Sequence, residues 1–304
     1  MPELPEIETV ARGLRTHILG KTISEVVVYD AKKFKGTPKE LAQFVIGKKI
    51  SGIERRAKWL LLRLETDYAF IIHLKMTGQL LFEPGSNIGK SKAGKTVDTP
   101  TFLGGHTMEG EDAARPTFPN THTRVAFVFS DKSKLYFQDM RRFGYVELYA
   151  PSKIDPYFSD RKLALEIQDP ATTFNYFKNQ LERRSRTTIK AALLNQSVVS
   201  GLGNIYVDDT LHLAKIHPTR VVGTLTEKEL QIIYTAARKI INKAIDLGGT
   251  SFSHFLRVDG KLGQYWEKRR VYGRTGEPCQ VCKTPIQKLR VAGRGTHVCP
   301  QCQK

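Results

Sequence analysis

The sequence has few cysteines and no apolar run long enough to cross a membrane. A transmembrane helix needs about 20 mainly apolar residues in succession. A secretory signal would begin with a basic stretch and an apolar core, whereas this N-terminus carries Glu3 and Glu6. The four cysteines all lie at or after Cys279, which argues against disulfides that cross-link the whole chain. We therefore expect a cytoplasmic protein that has no membrane partner.

Acidic residues are also scarce relative to basic ones. The chain has 48 Lys and Arg residues against 30 Asp and Glu residues, which gives a net charge of +18, and the excess is spread along all 304 residues. Such a distribution favours a polyanionic partner such as nucleic acid. Binding to a membrane surface is the alternative, but it needs a basic amphipathic helix with a bare apolar face, and the sequence shows none.

The first half of the chain reads as one helix followed by strands. Pro5 suits a first helical turn and Gly20 suits a helix end. The apolar residues that recur on one helical face between them are Ile7, Val10, Leu14 and Ile18. After this helix, β-branched and aromatic residues cluster in six short segments, which predicts a β-sandwich or barrel. The six segments are 23–29, 59–64, 68–74, 124–129, 134–137 and 145–149.

Helical patterns replace the strands after Pro151. The capping box Thr226–Glu229 opens a helix whose apolar stripe stops before Gly248. The segment Gly201–Asn204 marks a tight turn between two further helices. The second half is therefore predicted to be a helical domain.

The predicted fold class is α+β with several domains. An N-terminal β-sandwich with a leading helix covers 1–150, and a helical domain covers 151–250. A connector over 251–270 leads to a small module over 271–304. Residues 84–120 are rich in Gly, Pro, Ser, Thr and Lys and show no periodicity, which predicts a flexible insertion.

Metal-ligand spacing marks the small C-terminal module. Two Cys-x-x-Cys pairs are separated by sixteen residues, and their members are Cys279, Cys282, Cys299 and Cys302. Each pair can turn two thiolates toward one tetrahedral ion, as in a zinc ribbon. Four sulfur ligands leave no open coordination position, so we predict one structural Zn²⁺. Between the pairs, residues 288–297 predict a hairpin with a basic tip, on which Arg294 is well suited to hold a phosphate.

The opening residues Met1-Pro-Glu-Leu-Pro-Glu resemble the signature of the formamidopyrimidine-DNA glycosylase family. By composition alone they are a helix start with carboxylates near the positive end of the dipole. The resemblance implies that Met1 is removed and that the amine of Pro2 attacks deoxyribose. An α-amino group has an ordinary pKa of about 7.7 to 8, against about 10.4 for lysine, so more of it is unprotonated at neutral pH. Glu3 and Glu6 then supply proton transfers, with their division of labour left open.

The resemblance extends along nearly the whole chain. Lys58, which follows Arg55-Arg-Ala, matches the family's lysine that contacts phosphate and the reacting sugar. Met76 and Phe143 match apolar wedges that fill the space left by an extruded base, while Arg141 can hydrogen-bond the orphaned cytosine. The predicted catalytic residues are Pro2, Glu3, Glu6, Lys58 and Arg294. The predicted DNA-binding residues are Met76, His122, Arg141, Phe143, Lys190 and Asn204.

The same resemblance identifies the helical turn and the connector. Residues 195–206 resemble a helix-two-turn-helix element, in which Asn204 and backbone amides grip phosphates beside the lesion. The segment Gly249–Phe255 matches the loop that closes over the flipped base. Ser251 and His254 differ from the family's commoner residues in this loop, and Glu166–Pro170 departs from another family motif.

The matches imply a bacterial enzyme of base excision repair that acts on damaged double-stranded DNA. Nothing in the sequence demands a partner subunit, so we expect a monomer. It would excise oxidised purines, such as 8-oxoguanine and formamidopyrimidines, through a Pro2 Schiff base and then cleave the strand by β,δ-elimination. An endonuclease VIII-type relative would remove oxidised pyrimidines by the same chemistry, but that branch usually has Gly where this chain has Leu4. A non-catalytic DNA-binding protein with a zinc ribbon would show degenerate catalytic residues, whereas Pro2, Glu3 and Lys58 are intact.

Overall fold

Two units make up the chain in the computed structural model. The first comprises Met1–Tyr157 with Gly248–Gln264, and the second comprises Phe158–Leu247 with Tyr265–Lys304. The structure describes residues 2–85, 101–106, 118–250, 255–256 and 263–304, with backbone only for 101–106 and 255–256. No helix in these segments combines the length and apolar character that membrane crossing requires. The domain boundaries drawn from the sequence at 150, 250 and 270 stay predictions.

Three expectations concern residues outside the described part of the chain. They are the removal of Met1, most of the insertion over 84–120, and the loop that contains Ser251 and His254.

Helix α1 (Leu4–Ile18) opens the first unit, as the sequence predicts. Glu3 is its N-cap residue and Pro5 stands in its first turn. The apolar residues Ile7, Val10 and Leu14 lie on its buried face and join the core between the strands. A second, shorter helix, α2 (Pro38–Phe44), begins with a capping box at Thr37.

Two sheets form the rest of the first unit. One has the order β1-β8-β9-β6-β7-β11 and the other the order β2-β10-β5-β4-β3. The strands are β1 (Ile23–Val28), β2 (Phe34–Lys35), β3 (Ile50–Arg56), β4 (Trp59–Leu64), β5 (Ala69–His73), β6 (Gly78–Glu83), β7 (Thr101–His106), β8 (Thr123–Phe129), β9 (Lys134–Asp139), β10 (Tyr145–Tyr149) and β11 (Phe255–Leu256). Apolar side chains of both sheets share one core, in which the Phe70 and Phe127 rings lie 4.9 Å apart. The predicted β-sandwich and its six predicted strands are confirmed.

The expectation of an unstructured insertion is wrong for Thr101–His106. These residues form β7, which pairs antiparallel with β6 and with β11. The segment contains two adjacent glycines, Gly104 and Gly105, which interrupt the alternation that marks a strand in a sequence. Backbone hydrogen bonds to both neighbours stabilise the strand without that pattern.

The second unit is mainly helical. Helix α3 (Pro151–Ser159) spans the boundary between the units, and the helices that follow are α4 (Phe174–Glu182), α5 (Ile189–Leu194), α6 (Asn204–Ala214), α7 (Glu227–Asp246) and α8 (Tyr265–Lys268). Thr226 and Glu229 form the predicted capping box at the start of α7. The predicted turn between α5 and α6 is present, and Gly201 in it has a φ of 92°, which favours glycine.

A hairpin of β12 (Gln287–Val291) and β13 (Arg294–Val298) lies between the two cysteine pairs, which confirms the sequence prediction. Its two turn residues, Ala292 and Gly293, have φ values of 50° and 72°. Two successive left-handed residues are typical of the tight turn that suits the twist of a hairpin.

A partly buried ion pair attaches α1 to β3. The Glu8 carboxylate accepts hydrogen bonds from Arg55 Nε at 2.8 Å and from Arg15 Nη1 at 3.3 Å. Burial by itself would raise the pKa of Glu8, but the hydrogen bond and charge of Arg55 and the charge of Arg15 together lower that pKa below its usual value. Arg55 also donates from Nη1 to the carbonyl of Ala57 at 3.2 Å, so the turn after β3 is attached to the same helix.

We predict that Glu8→Gln destabilises the protein at neutral pH by about 1 to 3 kcal/mol, because Arg55 loses its charged partner. Since the pKa of Glu8 is lowered on folding, its contribution is fully present above its ordinary value of 4.5 and is lost as the pH falls through the folded-state value. Urea unfolding followed by circular dichroism should therefore show a large gap between wild type and variant at neutral pH and a small one in acid. Glu25→Gln, at an exposed position on β1, is the control. Equal gaps at both pH values would contradict the prediction.

Candidate active site and nucleic-acid interface

The predicted nucleophile lies at the start of α1. Pro2 and Glu3 precede the helix, and both residues are buried. Glu3 has an extended backbone, with φ −103° and ψ −170°, and its N–H donates to Glu6 Oε2 at 2.8 Å. The structure thus brings three of the predicted catalytic residues together at one helix N-terminus, where the helix dipole favours negative charge.

The carboxylate of Glu6 binds two separate segments. Besides accepting from Glu3, it accepts at Oε1 from the N–H of Thr250 at 2.6 Å and from the Thr250 hydroxyl at 2.9 Å. Gly249 has a φ of +79°, and a Cβ there would lie 2.8 Å from Glu6 Oε1, so this approach needs a glycine. The sequence contains no signal for the role of Thr250, which lies 244 positions away from Glu6.

Lys58 lies in the turn between β3 and β4. Its side chain is buried, and the preceding residue Ala57 has a left-handed φ of 52°. Because Arg55 links the Ala57 carbonyl to Glu8, hydrogen bonds connect this turn to α1. The structure therefore places the predicted catalytic lysine on an element that is attached to the helix of Pro2 and Glu3.

Three predicted DNA-binding residues meet where β5 leads into β6 and β9 leads into β10. We call Met76, Arg141 and Phe143 the wedge cluster. Arg141 Nη1 lies 3.4 Å from Met76 Sδ, and the Arg141 guanidinium lies 5.0 Å from the centre of the Phe143 ring. Met76 is 40% exposed and Phe143 is 50% exposed. Two exposed apolar side chains with a cation between them are suited to enter a base stack and to pair with an unpaired base.

The Asp139 carboxylate accepts hydrogen bonds from both loops that carry the wedge cluster. Its carboxylate, with no exposed surface, accepts from the Thr77 hydroxyl and from the N–H of Gly144 at 2.6 Å. Thr77 Oγ1 in turn accepts from the N–H of Arg141 at 3.1 Å. The two loops are therefore fixed to one buried group. Asp139 has no distinctive spacing that would identify this role in the sequence.

His122 lies next to Asp139, the residue that supports the wedge cluster. Its carbonyl accepts from the N–H of Asp139 at 2.9 Å, and its own N–H donates to Asn120 Oδ1 at 3.0 Å. The half-buried His122 is thus held by backbone contacts next to the residue that supports the wedge cluster.

In the second unit, Asn204 and Arg294 lie close together. Asn204 is the first residue of α6, after Gly203 as N-cap, and its Nδ2 donates to the carbonyl of Gly295 at 2.9 Å. Gly295 follows Arg294, whose side chain is exposed at the start of β13. The structure therefore joins a helix N-terminus to an exposed arginine, an arrangement that suits a phosphate.

Lys190 was predicted to bind DNA, but its side chain lies inside the second unit. Its side chain is 0% exposed, and its ammonium pairs with Asp208 and donates to Thr296 Oγ1 at 2.8 Å. Asp208 also accepts from the N–H of His297 at 2.8 Å. The charge of Lys190 is therefore used inside the protein, where it attaches α5 and α6 to the hairpin that carries Arg294.

The four cysteines converge as predicted. The Sγ atoms of Cys282 and Cys299 lie 3.4 Å apart, and those of Cys279 and Cys302 lie 3.9 Å apart. Zn–S bonds of about 2.3 Å in a tetrahedron place sulfur atoms about 3.8 Å apart, so the thiols fit one structural zinc ion. His212, which the sequence did not single out, lies within 4.8 Å of three of these sulfur atoms.

Comparison with protein families covers most of the chain. The family model of the formamidopyrimidine-DNA glycosylase N-terminal domain matches residues 1–146, and that of the H2TH domain of these enzymes matches residues 163–255. A zinc finger found in FPG and IleRS matches residues 276–304. A formamidopyrimidine-DNA glycosylase of Exiguobacterium sp. is 39% identical over 305 residues, which cover 100% of both chains.

Solved structures of similar proteins contain DNA. The wild-type Lactococcus lactis Fpg in complex with DNA containing N7-benzyl-Fapy-dG matches with a TM-score of 0.81 and 34% identity over 100% of both chains. MutM in complex with DNA containing carbocyclic 8-oxo-G matches with a TM-score of 0.79 and 34% identity, again over 100% of both chains.

We predict that Asp139→Asn loosens both loops of the wedge cluster. The amide offers one acceptor oxygen, so either the Thr77 hydroxyl or the Gly144 N–H loses its partner, at a cost of about 1 to 3 kcal/mol. Hydrogen–deuterium exchange should rise in residues 74–78 and 140–145. Asp67→Asn, at an exposed position between β4 and β5, is the control. Unchanged exchange in both loops of the Asp139 variant would show that this carboxylate does not hold them.

Proposed function

We propose that this chain, which belongs to the formamidopyrimidine-DNA glycosylase family, excises oxidised purines from duplex DNA and then cleaves the strand at the resulting abasic site. The observation that carries the proposal is the wedge cluster, which suits a protein that extrudes a base and fills the space behind it. The similar proteins bound to DNA with N7-benzyl-Fapy-dG or carbocyclic 8-oxo-G support the choice of lesion. We further propose that the protein acts as a monomer in the bacterial cytoplasm.

Each predicted domain has a separate role in the proposed reaction. Residues 1–150 carry the reaction chemistry and the wedge cluster, and the segment 251–270 covers the flipped base. The helical domain over 151–250 and the zinc module over 271–304 hold the DNA backbone. In this assignment the zinc ion is structural, because four thiolates fill its coordination sphere.

Pro2 is the nucleophile in this proposal. Once Met1 has been removed, the secondary amine attacks the sugar C1′, and the C1′–N bond to the damaged base breaks with its electron pair leaving on the base. After the attacking nitrogen has lost its proton, the C1′–O4′ bond breaks as the ring oxygen gains a proton, and the nitrogen lone pair forms an iminium with C1′. This iminium carries a permanent positive charge and accepts electrons when a 2′ proton and the 3′ phosphate are eliminated. A further elimination of the 5′ phosphate completes strand cleavage. With Met1 still attached, the nitrogen is an amide and has no nucleophilic lone pair.

Glu3 and Glu6 have different roles in this scheme. Both oxygens of Glu6 accept hydrogen bonds, from Glu3 at one and from Thr250 at the other. We therefore assign Glu6 as a positioning residue that holds the start of α1. Glu3, next to Pro2 in the chain, is assigned the proton transfers to the sugar ring oxygen during ring opening.

Cationic groups neutralise the phosphates around the lesion. Lys58, buried in its turn, is assigned to the phosphate beside the reacting sugar. Arg294 and Asn204 are assigned to another backbone phosphate, because the exposed guanidinium and the N-terminus of α6 lie on adjoining elements. Lys190 keeps these elements together from the interior instead of touching DNA.

The wedge cluster replaces the extruded base. Flipping a nucleotide costs a few kcal/mol, which contacts with the lesion and with the vacated space must offset. Met76 and Phe143 are assigned to stack in that space, and Arg141 to hydrogen-bond the opposite cytosine. His122 is assigned to the adjoining backbone of the DNA, because it lies against Asp139 at the base of the cluster.

We predict that Pro2→Gly lowers the rate of 8-oxoguanine excision at least about 100-fold, since the ring nitrogen that forms the iminium is lost. Sodium borohydride added during turnover should trap a covalent complex with wild-type protein and much less with the variant. Pro5→Ala is the control, because Pro5 stands in α1 and has no free amine.

Two results would contradict this role for Pro2. One is excision and trapping by Pro2→Gly at wild-type rates. The other is a mass measurement on active wild-type protein that finds Met1 still attached.

We predict faster excision from duplexes with 8-oxoguanine opposite cytosine than from duplexes with thymine glycol opposite adenine. Arg141→Ala should slow the first reaction about tenfold, because a good bidentate contact to a base contributes about 1 to 3 kcal/mol. Arg142→Ala, at the neighbouring exposed arginine, is the matched control and should change the rate little. Faster action on thymine glycol would instead identify an endonuclease VIII-type enzyme, and binding without cleavage of either duplex would identify a non-catalytic protein.

A further inference from the structure

His212 lies on α6 between an arginine and a zinc-binding thiol, and none of the assigned roles uses it. The residue is 2% exposed. Its Nε2 lies 3.3 Å from Cys279 Sγ, and Arg270 Nε donates to its Nδ1 at 2.9 Å. A buried imidazole with a specific contact at each nitrogen has a defined orientation.

The contact with Arg270 determines which nitrogen carries the proton. A guanidinium has N–H donors and no acceptor, so Nδ1 must accept through its lone pair. A neutral imidazole has one N–H, which then lies on Nε2. This N–H points at Cys279 Sγ, and a protonated nitrogen has no lone pair with which to bind a metal.

Arg270 is itself held by the helix that carries His212. The Asp209 carboxylate accepts from the N–H of Arg270 at 2.9 Å and from the N–H of Val271 at 3.0 Å. Tyr265 also donates to Asp209, at 2.9 Å. The backbone of Arg270 is therefore fixed to α6 at the residue three positions before His212, which orients the guanidinium toward the imidazole.

We propose that His212 donates a hydrogen bond from Nε2 to the Cys279 thiolate and thereby stabilises the bound zinc, while Arg270 holds it in the donor tautomer. Four thiolates and one Zn²⁺ leave two negative charges in a largely buried cluster, and donors to the sulfur atoms offset that charge. Through this contact α6, which begins at Asn204, is joined to the zinc module. His212 is a positioning residue, and the proposal depends on the zinc site rather than on the repair reaction.

The opposing assignment makes His212 a zinc ligand in place of Cys282. Its Nε2 is close enough to Cys279, Cys299 and Cys302 for such a site. The hydrogen bond from Arg270 argues against it, because both ring nitrogens would then need lone pairs and the imidazole would have to be an anion. Zinc release from variants and NMR of the histidine rings distinguish the two assignments.

The first experiment measures zinc release from the purified zinc-bound protein into an excess of a chelating dye. His212→Phe keeps a planar ring and removes the hydrogen bond, and we expect it to release zinc about 10 to 100 times faster while still binding one ion per chain. His212→Gln retains an N–H donor and should restore part of the slow release. His217→Phe, the same change just beyond α6, is the control and should release zinc at the wild-type rate.

Three outcomes would overturn the proposal. An unchanged release rate in His212→Phe would show that the hydrogen bond does not stabilise the zinc. Loss of zinc stoichiometry in His212→Phe, together with retained zinc in Cys282→Ser, would show that the histidine is a ligand. Release accelerated to the same extent in His217→Phe would show a general loosening of the unit.

A second measurement uses the wild-type zinc-bound protein and does not depend on whether a variant folds. Long-range ¹⁵N–¹H NMR spectra of the histidine rings report which nitrogen carries the proton, and His212→Phe identifies the resonance. We expect protonated Nε2 and unprotonated Nδ1 for His212. A proton on Nδ1 would overturn the proposal.

Discussion

The carboxylate of Asp139 is fully buried between the β5–β6 and β9–β10 loops, and its hydrogen bonds fix the position of the wedge cluster. A buried carboxylate is costly unless donors surround it. Here the donors come from the Thr77 hydroxyl and the Gly144 backbone, so the group is satisfied only when both loops take their places. These hydrogen bonds can therefore fix the loops that carry exposed apolar side chains such as Phe143, although the loops have no hydrophobic core of their own.

Other buried carboxylates likewise join segments of the described chain that are distant in the sequence. Glu6 holds Thr250 against the first turn of α1, at the end of the chain that carries the nucleophile. In the second unit, Asp208 binds Lys190 and the backbone of the hairpin. Its neighbour Asp209 binds the segment that leads into the zinc module. Removing the donors leaves a buried carboxylate without partners, and removing Asp208 leaves the buried charge of Lys190 unpaired, which makes these contacts costly to break.

The residues assigned to the reaction thus differ from the residues that hold them in position. Pro2 and Glu3 react with the sugar in the proposed mechanism, whereas Glu6 orders their backbone. The same separation is proposed for the zinc module, where the cysteines are assigned to the ion and His212 Nε2 lies 3.3 Å from a sulfur atom. Supporting residues of this kind resist detection in a single sequence, because an acidic or histidine residue on a helix has many commoner explanations.

The sequence alone predicted the leading helix, the hairpin, six strands and a zinc site of four cysteines, because each depends on residue identity or on spacing along a short stretch. It predicted the reaction class only through its resemblance to a known family. It failed for β7, whose stability comes from backbone pairing, and for Lys190, whose charge lies inside the protein. Only the tertiary structure decided that Glu6 binds Thr250, 244 positions away, and that His212 faces Cys279, 67 positions away. Such contacts form between segments that folding brings together, and no local pattern of residues encodes which donor a buried acceptor will meet.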